Sequence, residues 1–250
     1  MASHFSAIGF PVKSQDEYLA LAQRVMNDCT SFDVEGGRYL HWGSRSGAEL
    51  WLQIDTDNIF IGMNPHYSGK SLVPVRLSER VIRPKDTVLD GALRGWAIWN
   101  DDDSESFELV FDVPDFGRQL TVLLPANRRV QIAAFAQEVS VFDSPKDYTA
   151  SQTGELKFAP QSFFPSGLLS PDLESIEPPE PYAIFSGHIV EADTRRNELT
   201  GSNFFWVLVE TLGAVFDVVI DPGLLSVTPK VGGVLSGSFW LSGRIVSDHS

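Results

Sequence analysis

The residues best equipped for chemistry in this chain are five histidines, one cysteine and one Gly-Lys-Ser triplet. The histidines are His4, His41, His66, His188 and His249. No two of them stand four apart, so no pair can share a helical face as in a zinc hydrolase. His41 and His66 fall where extended or loop chain is expected and could meet Glu49 or Asp55 across strands. Packed or surface histidine is the plainer reading, and no metal site is expected. Cys29 is the lone cysteine. It excludes an intramolecular disulfide, and one thiolate is too few for a Cys-based metal centre. As a nucleophile it would need a paired histidine and a depressed pKa; a buried apolar thiol is expected instead. "GMNPHYSGKS", from Gly62 to Ser71, just misses a phosphate loop. Asn64 stands where the motif requires its first glycine, and the "LVPVRL" that follows reads as strand rather than helix. A turn is expected there. No G-x-S-x-G elbow is present, since "GSRSG" has Arg45 at its centre. Asp101, Asp102 and Asp103 read as a solubilising loop, because an acid/base pair needs a cleft. No catalytic residue is assigned and no cofactor is expected.

Tryptophan offers another route to function. Trp42, Trp51, Trp96 and Trp99 all fall in strand-like stretches of the N-terminal half. In a cupped sheet they could line an apolar pocket with His41 and His66, where Arg38 or Arg94 would fix an acidic group. The competing reading is plain core, since aromatic side chains dominate cores anyway.

These residues must be positioned by a chain whose hydrophobic period changes along its length. "FSAIGFPV" reads as a short buried strand. "SQDEYLALAQRVM" reads as a helix from about 15 to 27, opened by Ser14 and Glu17 as a capping box, with Tyr18, Leu21, Ala22 and Val25 on one face and Leu19 and Met26 widening it. The period then becomes two through "RYLHWGS", "AELWLQID" and "NIFIGM", predicting an antiparallel series. Further strands are expected through "SLVPVRLSERVI", with Pro74 at an edge or a bulge, and onward to about Asp143. "DDDSES" reads as a hairpin loop between two of them.

From Ser144 to Pro181 the chain holds seven prolines. "ESIEPPEP" resembles a stiff polar spacer, while "FAPQSFFPSGLL" is aromatic enough to pack on a neighbour. After it, "FSGHIV" (from Phe185) returns as "LSGRIV" (from Leu241). Glycine suits a strand that bends sharply, so Gly187 and Gly243 predict the first and last long strands of one small barrel. Its other strands are "NFFWVLVETL", "AVFDVVID" (Asp217 facing outward) and one through "GLLSV". The fold expected is α+β and β-dominated. It has an α+β domain over 1–145, a Pro-rich connector over 146–181 and a small antiparallel β-barrel over 182–250.

Net charge is −14 over 250 residues. That disfavours nucleic acid and acidic membranes unless a basic patch exists. The segment 182–250 has four Lys/Arg against seven Asp/Glu, so its aromatic residues lack the basic groove of a single-strand binder. No apolar stretch is long enough to span a bilayer and no signal peptide is legible, so the cytoplasm is expected.

"AIGFPVKSQDEYLALAQRV", from Ala7 to Val25, resembles the opening of the vicinal-oxygen-chelate superfamily, which includes glyoxalase I, extradiol dioxygenases and bleomycin-resistance proteins. Gly9, Pro11, Val12, Asp16 and the helix match in kind. The resemblance implies three further strands, at about 37–43, 49–55 and 58–63, and a second module with its own helix. "DTVLDGALRGW" is the sole candidate for that helix. A metal enzyme of the family carries a ligand near the first strand, where this chain has Ala7, with His4 three residues earlier. The tail is similar to an OB-type barrel in length, strand number and strand glycines. The function expected is a non-catalytic binding or assembly module acting through a protein partner, self-association or a small apolar or acidic ligand. The alternative is an enzyme or sequestration protein of the vicinal-oxygen-chelate kind, using the cupped N-terminal sheet.

Overall fold

A computed structural model of the chain describes residues 4–98, 105–153, 157–165 and 178–246. Trp99, His249, the "DDDSES" loop up to Ser104 and much of the Pro-rich connector lie outside them. The protein is β-dominated, with thirteen strands in two sheets among the described residues.

The helix α1 (Gln15–Val25) starts where its cap predicts. Ser14 Oγ accepts from the Glu17 amide at 3.2 Å, and Glu17 Oε2 accepts from the Lys13 amide at 2.6 Å. Leu21, Ala22 and Val25 are buried, but Leu19 is exposed, so the apolar stripe is narrower than its sequence suggests. The chain before α1 is not the expected strand. Ser6–Ile8 is a 3₁₀ turn closed by Gly9 at φ 82°. Ala7, Ile8 and Phe10 are buried, as an apolar run should be. Two carbonyls of this turn are satisfied by side chains: Asn197 donates to Ile8 O and Thr200 to Gly9 O. A turn met by polar partners replaces a ladder.

Strands β1 (Thr30–Val34), β2 (Gly37–Gly43), β3 (Ala48–Asp55) and β4 (Phe60–Tyr67) form a four-stranded antiparallel meander in chain order. Its last three strands lie where periodicity places them; β1 was not expected. No second α-helix follows between 70 and 98 or between 105 and 144 among the described residues. "DTVLDGALRGW" is loop leading into a strand.

The remaining strands join in one nine-stranded sheet: β5 (Val73–Val81), β6 (Ala92–Ile98), β7 (Glu105–Asp112), β8 (Ala126–Phe142), β9 (Ser162–Pro165), β10 (Tyr182–Arg196), β11 (Asn203–Thr211), β12 (Ala214–Ile220) and β13 (Val234–Val246). Two closed rings share the β8–β13 pair. One runs β10–β11–β12–β8–β13 and closes because β13 pairs with β10; the other runs β8–β5–β6–β7–β13 and closes at a parallel bridge from Asp112 to Ser242. Pro74 is therefore not at an edge: it faces Arg129 of β8.

The expected barrel over 182–250 is corrected by this pairing. "GLLSV" contributes a 3₁₀ turn at Pro222–Leu224 rather than a strand. The fifth strand is β8, from before the connector, lying parallel to β12 and antiparallel to β13 over thirteen residue pairs. The sheet thus runs across the boundary between 1–145 and 182–250. The connector contributes α2 (Pro145–Ser151), with Tyr148 buried, and the short strand β9, whose Phe163 stacks on Phe107 at 4.1 Å.

Both faces of the wall made by β8, β11, β12 and β13 are buried. One face (Ile132, Ala134, Val207, Val209, Phe216, Val218, Phe239) fills the ring interiors. The other (Ala133, Phe135, Phe204, Trp206, Val219, Trp240) packs against α1 and the first sheet. That explains Asp217, which alternation aims at solvent: it has no exposed surface, because the first sheet covers the barrel's outside.

The twin Ser-Gly phrases lie on β10 and β13, the first and last strands of the tail; β10 is not the first strand of the barrel, because β8 precedes it. β10 pairs with β13 up to His188 and with β11 from His188 onward, so it changes partner beside Gly187. A Cβ there would lie 2.5 Å from both Glu210 O and Val209 Cγ1. Backbone on one side cannot yield, so Gly187→Ala is expected to cost about 1–3 kcal/mol. Equilibrium urea unfolding measures it; a loss within error of zero means that β11 stands further away.

Candidate functional site

A cavity of about 570 Å³ opens between the two sheets. Its walls come from Asn64 on β4, the 82–91 loop joining β5 to β6, Asp112 at the end of β7, Tyr182 at the start of β10 and Trp240 on β13, with His4 and Phe5 across one side. The loop is shaped by its own turn chemistry. In "RPKD" and "TVLD" the aspartate accepts from the backbone N–H three residues earlier, Asp86 from Arg83 at 2.8 Å and Asp90 from Thr87 at 3.1 Å.

Two polar centres result. At the first, Arg83 faces three carboxylates: Nη2 bonds Asp112, Nε lies 3.3 Å from Asp86 and Nη1 lies 3.4 Å from Glu180. The other oxygen of Asp112 accepts from Trp240 Nε1 at 2.8 Å. Burial pushes the Asp112 carboxyl up to about 6, although Arg83 and Trp240 both favour the anion. At the second centre, Asp90 accepts from the Gln53 amide at 2.6 Å and the Asn64 amide at 2.8 Å. Its described partners are all neutral.

Trp240 is the cavity's aromatic wall. His4 stacks on it at 4.2 Å with the rings 3° from parallel. The Gln137 amide donates to His4 Nε2 at 3.3 Å, and burial holds that imidazole down at about 4, so it is neutral near pH 7.

A second polar cluster is sealed rather than open. The Gly-Lys-Ser triplet lies in the loop between β4 and β5, and its amides hold a carboxylate of the protein itself. Lys70 N and Ser71 N donate to the two oxygens of Asp217 at 2.9 and 2.8 Å. Trp206 Nε1 and Gln131 Nε2 complete the set, both at 2.9 Å. Because the Gln131 amide nitrogen faces Asp217, its oxygen must accept from His66 Nε2, 2.8 Å away. His66 Nδ1 is then the acceptor for the Ser242 hydroxyl at 2.8 Å.

The residues singled out from sequence do not meet at one place. His41 stacks on Trp51 at 4.2 Å, and Nε2 lies 3.4 Å from Glu49, which is the anticipated cross-strand contact. Arg244 covers Trp51 at 4.7 Å and also approaches Glu49. Trp51 and His66 are wholly buried. Trp42 points to the other face of the first sheet, edge-on to Phe10. Arg38 bonds Asn58 across a hairpin at 2.7 Å. Arg94 and Trp96 sit on β6, where Arg94 pairs with Glu79 and Glu108. None of these residues lines the cavity. Cys29 is half-buried, its thiol donating to Val25 O and pushed up to about 11 by burial and Asp28, so it is a poor nucleophile. Among the described residues no three His, Cys, Asp or Glu side chains are grouped as a metal ion would require, and no helix is long and apolar enough to cross a membrane. No protein-family model, curated protein or solved structure matches the chain.

Proposed function

We propose that the protein is a non-catalytic binding protein that takes a small organic ligand into the cavity between its two sheets. The observation that carries this reading is the cavity itself. Its volume, about 570 Å³, falls within the range of small-molecule sites, and its polar groups converge from five separate elements. They are fixed before any ligand arrives: Asp112 by Arg83 and Trp240, Asp90 by Gln53 and Asn64. Such preorganisation lowers the cost of binding.

The ring β10–β11–β12–β8–β13 is OB-like in strand order, with β8 supplying the strand that would otherwise follow β13. It serves here as scaffold, because its outer face is covered. The vicinal-oxygen-chelate resemblance is left with α1 and the strands after it, and the function does not rest on it. Assembly through a strand edge is a further form of the binding reading, with β1 as the outer strand of the first sheet.

A screen by thermal shift tests the cavity. A ligand at a hundred times its Kd stabilises the fold by about 2.7 kcal/mol, which raises the melting temperature by several degrees in a protein of this size. Hits are expected to lose most of that shift in Tyr182→Ala, which strips a half-exposed ring from the cavity wall. Hits that shift both proteins equally would bind elsewhere. A second reading, an enzyme, is favoured by one feature: Asp112, held near 6 at the cavity wall, is poised to exchange a proton near neutrality. Recovery of a bound hit chemically altered would favour it.

A further inference from the structure

We propose that the cavity selects an organic cation: an amine or quaternary ammonium carried on an apolar body. This inference rests on the binding function proposed above and names its ligand class. Four carboxylates line the space, Asp86, Asp90, Asp112 and Glu180, against the two cations Arg83 and Lys85. His4 adds no charge, since its Nε2 already accepts from Gln137. The count alone decides little; what the groups are doing decides more.

Arg83 is the residue an anionic ligand would seek, because its planar fork matches carboxylate and phosphate. All three of its nitrogens already face carboxylates, at Asp86, Asp112 and Glu180. An entering anion would have to displace one of them and would meet the other two. Asp90 is in the opposite position. Gln53, Asn64 and Thr87 hold it through neutral N–H groups, so its negative charge has no cation beside it among the described residues. An ammonium placed there would gain a charge partner and displace none.

The remaining walls fit the other half of such a ligand. Phe5, Met63, Pro65, Pro181 and Trp240 supply apolar and aromatic surface for the body of such a ligand. A bare divalent ion fits less well. Mg²⁺ and Ca²⁺ need several free oxygen ligands, and here the oxygens of Asp86 and Asp112 are already engaged by Arg83 and Trp240. The chain's net charge of −14 adds long-range attraction for cations.

The test uses three probes with one apolar body: phenethylammonium, 2-phenylethanol and 3-phenylpropionate, titrated into the full chain near neutral pH by calorimetry. A hydrogen bond to a charged group is worth about 1.5–3 kcal/mol, so the ammonium is expected to bind at least about tenfold more tightly than the alcohol, and the carboxylate more weakly still. Asp90→Asn should remove about tenfold from ammonium affinity while changing the alcohol less than about twofold. Glu180→Gln, on a largely exposed side chain, is the second variant should Asp90→Asn disturb the 87–90 turn; it should weaken the ammonium selectively but less. Carboxylate binding as tight as ammonium binding, or equal losses for ammonium and alcohol in both variants, overturns the cation assignment and leaves the cavity as a binding site. No binding by any probe at millimolar concentration overturns both.

Discussion

Asp217→Ala is expected to cost at least about 4 kcal/mol of stability, the largest single effect in the molecule. The carboxylate has no exposed surface and takes four donors: Lys70 N, Ser71 N, Gln131 Nε2 and Trp206 Nε1. Removing one member of a buried charged network typically costs about 3–5 kcal/mol, because the partners stay buried without an acceptor. Alanine leaves four such donors, and no solvent reaches Asp217 to replace it. The residue also ties four regions together: the loop between the two sheets, β8, β11 and β12. Asp217→Asn keeps the volume but turns an amide NH₂ toward other N–H groups, so a smaller loss of about 2–3 kcal/mol is expected. Urea unfolding followed by tryptophan fluorescence gives both values, and the Trp206 indole N–H resonance should shift upfield in each variant as its acceptor weakens. A loss below about 1 kcal/mol for Asp217→Ala would mean that the loop amides have another acceptor.

The history of that loop shows what the sequence could and could not convey. "SGKS" does not read as a phosphate site, because a proline-bearing strand follows it, but the hairpin turn expected there is instead a loop that crosses from one sheet to the other. That its amides would nevertheless cradle an anion, and that the anion would be Asp217, 147 positions further on, has no local signature. Alternation within "AVFDVVID" places Asp217 on the face opposite Phe216 and Val218, which is right. It also calls that face solvent, which is wrong, because periodicity reports sides of a strand and not what lies beyond them. Phe204, Trp206 and Trp240 share that covered face, and together they are the trace of a second layer: both sides of β11 are apolar in a chain expected to form a one-layer barrel.

The cavity was less legible than the fold. Its members come from positions 4, 64, 83–91, 112, 180–182 and 240, and sequence reasoning instead gathered tryptophans that are neighbours along the chain. Trp42 and Trp51 belong to opposite faces of the first sheet, and Trp96 to another sheet. A cup drawn from all of them could not exist. The signal that was present is the pair of four-residue segments "RPKD" and "TVLD". Their aspartates at fixed offset mark two consecutive polar turns, and a helix assignment over the second half of that stretch conceals them. The β8 strand was hidden for a different reason. It is read correctly as a strand, but the connector after it suggests a boundary, and strand partners in a closed ring are chosen by long-range packing that no window of sequence contains.

His66 is expected to make the protein acid-labile in a way that a single variant exposes. The ring is wholly buried, and burial holds its pKa down at about 4 from an ordinary 6.5. Glu49 and Asp217 pull it upward and Arg244 pushes it down, and burial prevails. In the unfolded chain the same imidazole takes up its proton near 6.5. Between those two values the unfolded state therefore binds one proton more than the folded state, so stability present above pH 6.5 is lost as pH falls toward 4. At about pH 5 the loss is about 2 kcal/mol, at roughly 1.4 kcal/mol per pKa unit. Other groups also titrate in this window. Asp112 acts with the opposite sign, since its raised pKa makes the folded state the stronger proton binder between about 6 and 3.8, and His4 acts in the same direction as His66. Comparison with His66→Gln removes both, because each contributes equally to the two proteins. Glutamine can still bond Gln131 or Ser242 but leaves part of the ring's space empty, so the variant is less stable at every pH above neutrality. The gap between wild type and His66→Gln is expected to narrow by about 2 kcal/mol between about pH 7.5 and about pH 5. The physical reason is specific to the tautomer. The incoming proton lands on Nδ1, which until then accepts the Ser242 hydroxyl, while Nε2 stays bound to Gln131. Charge thus enters where the hydrogen-bonding partner is a neutral hydroxyl that must reverse its bond. A gap that stays constant across this range would place the imidazole in contact with water or show it already protonated in the folded state.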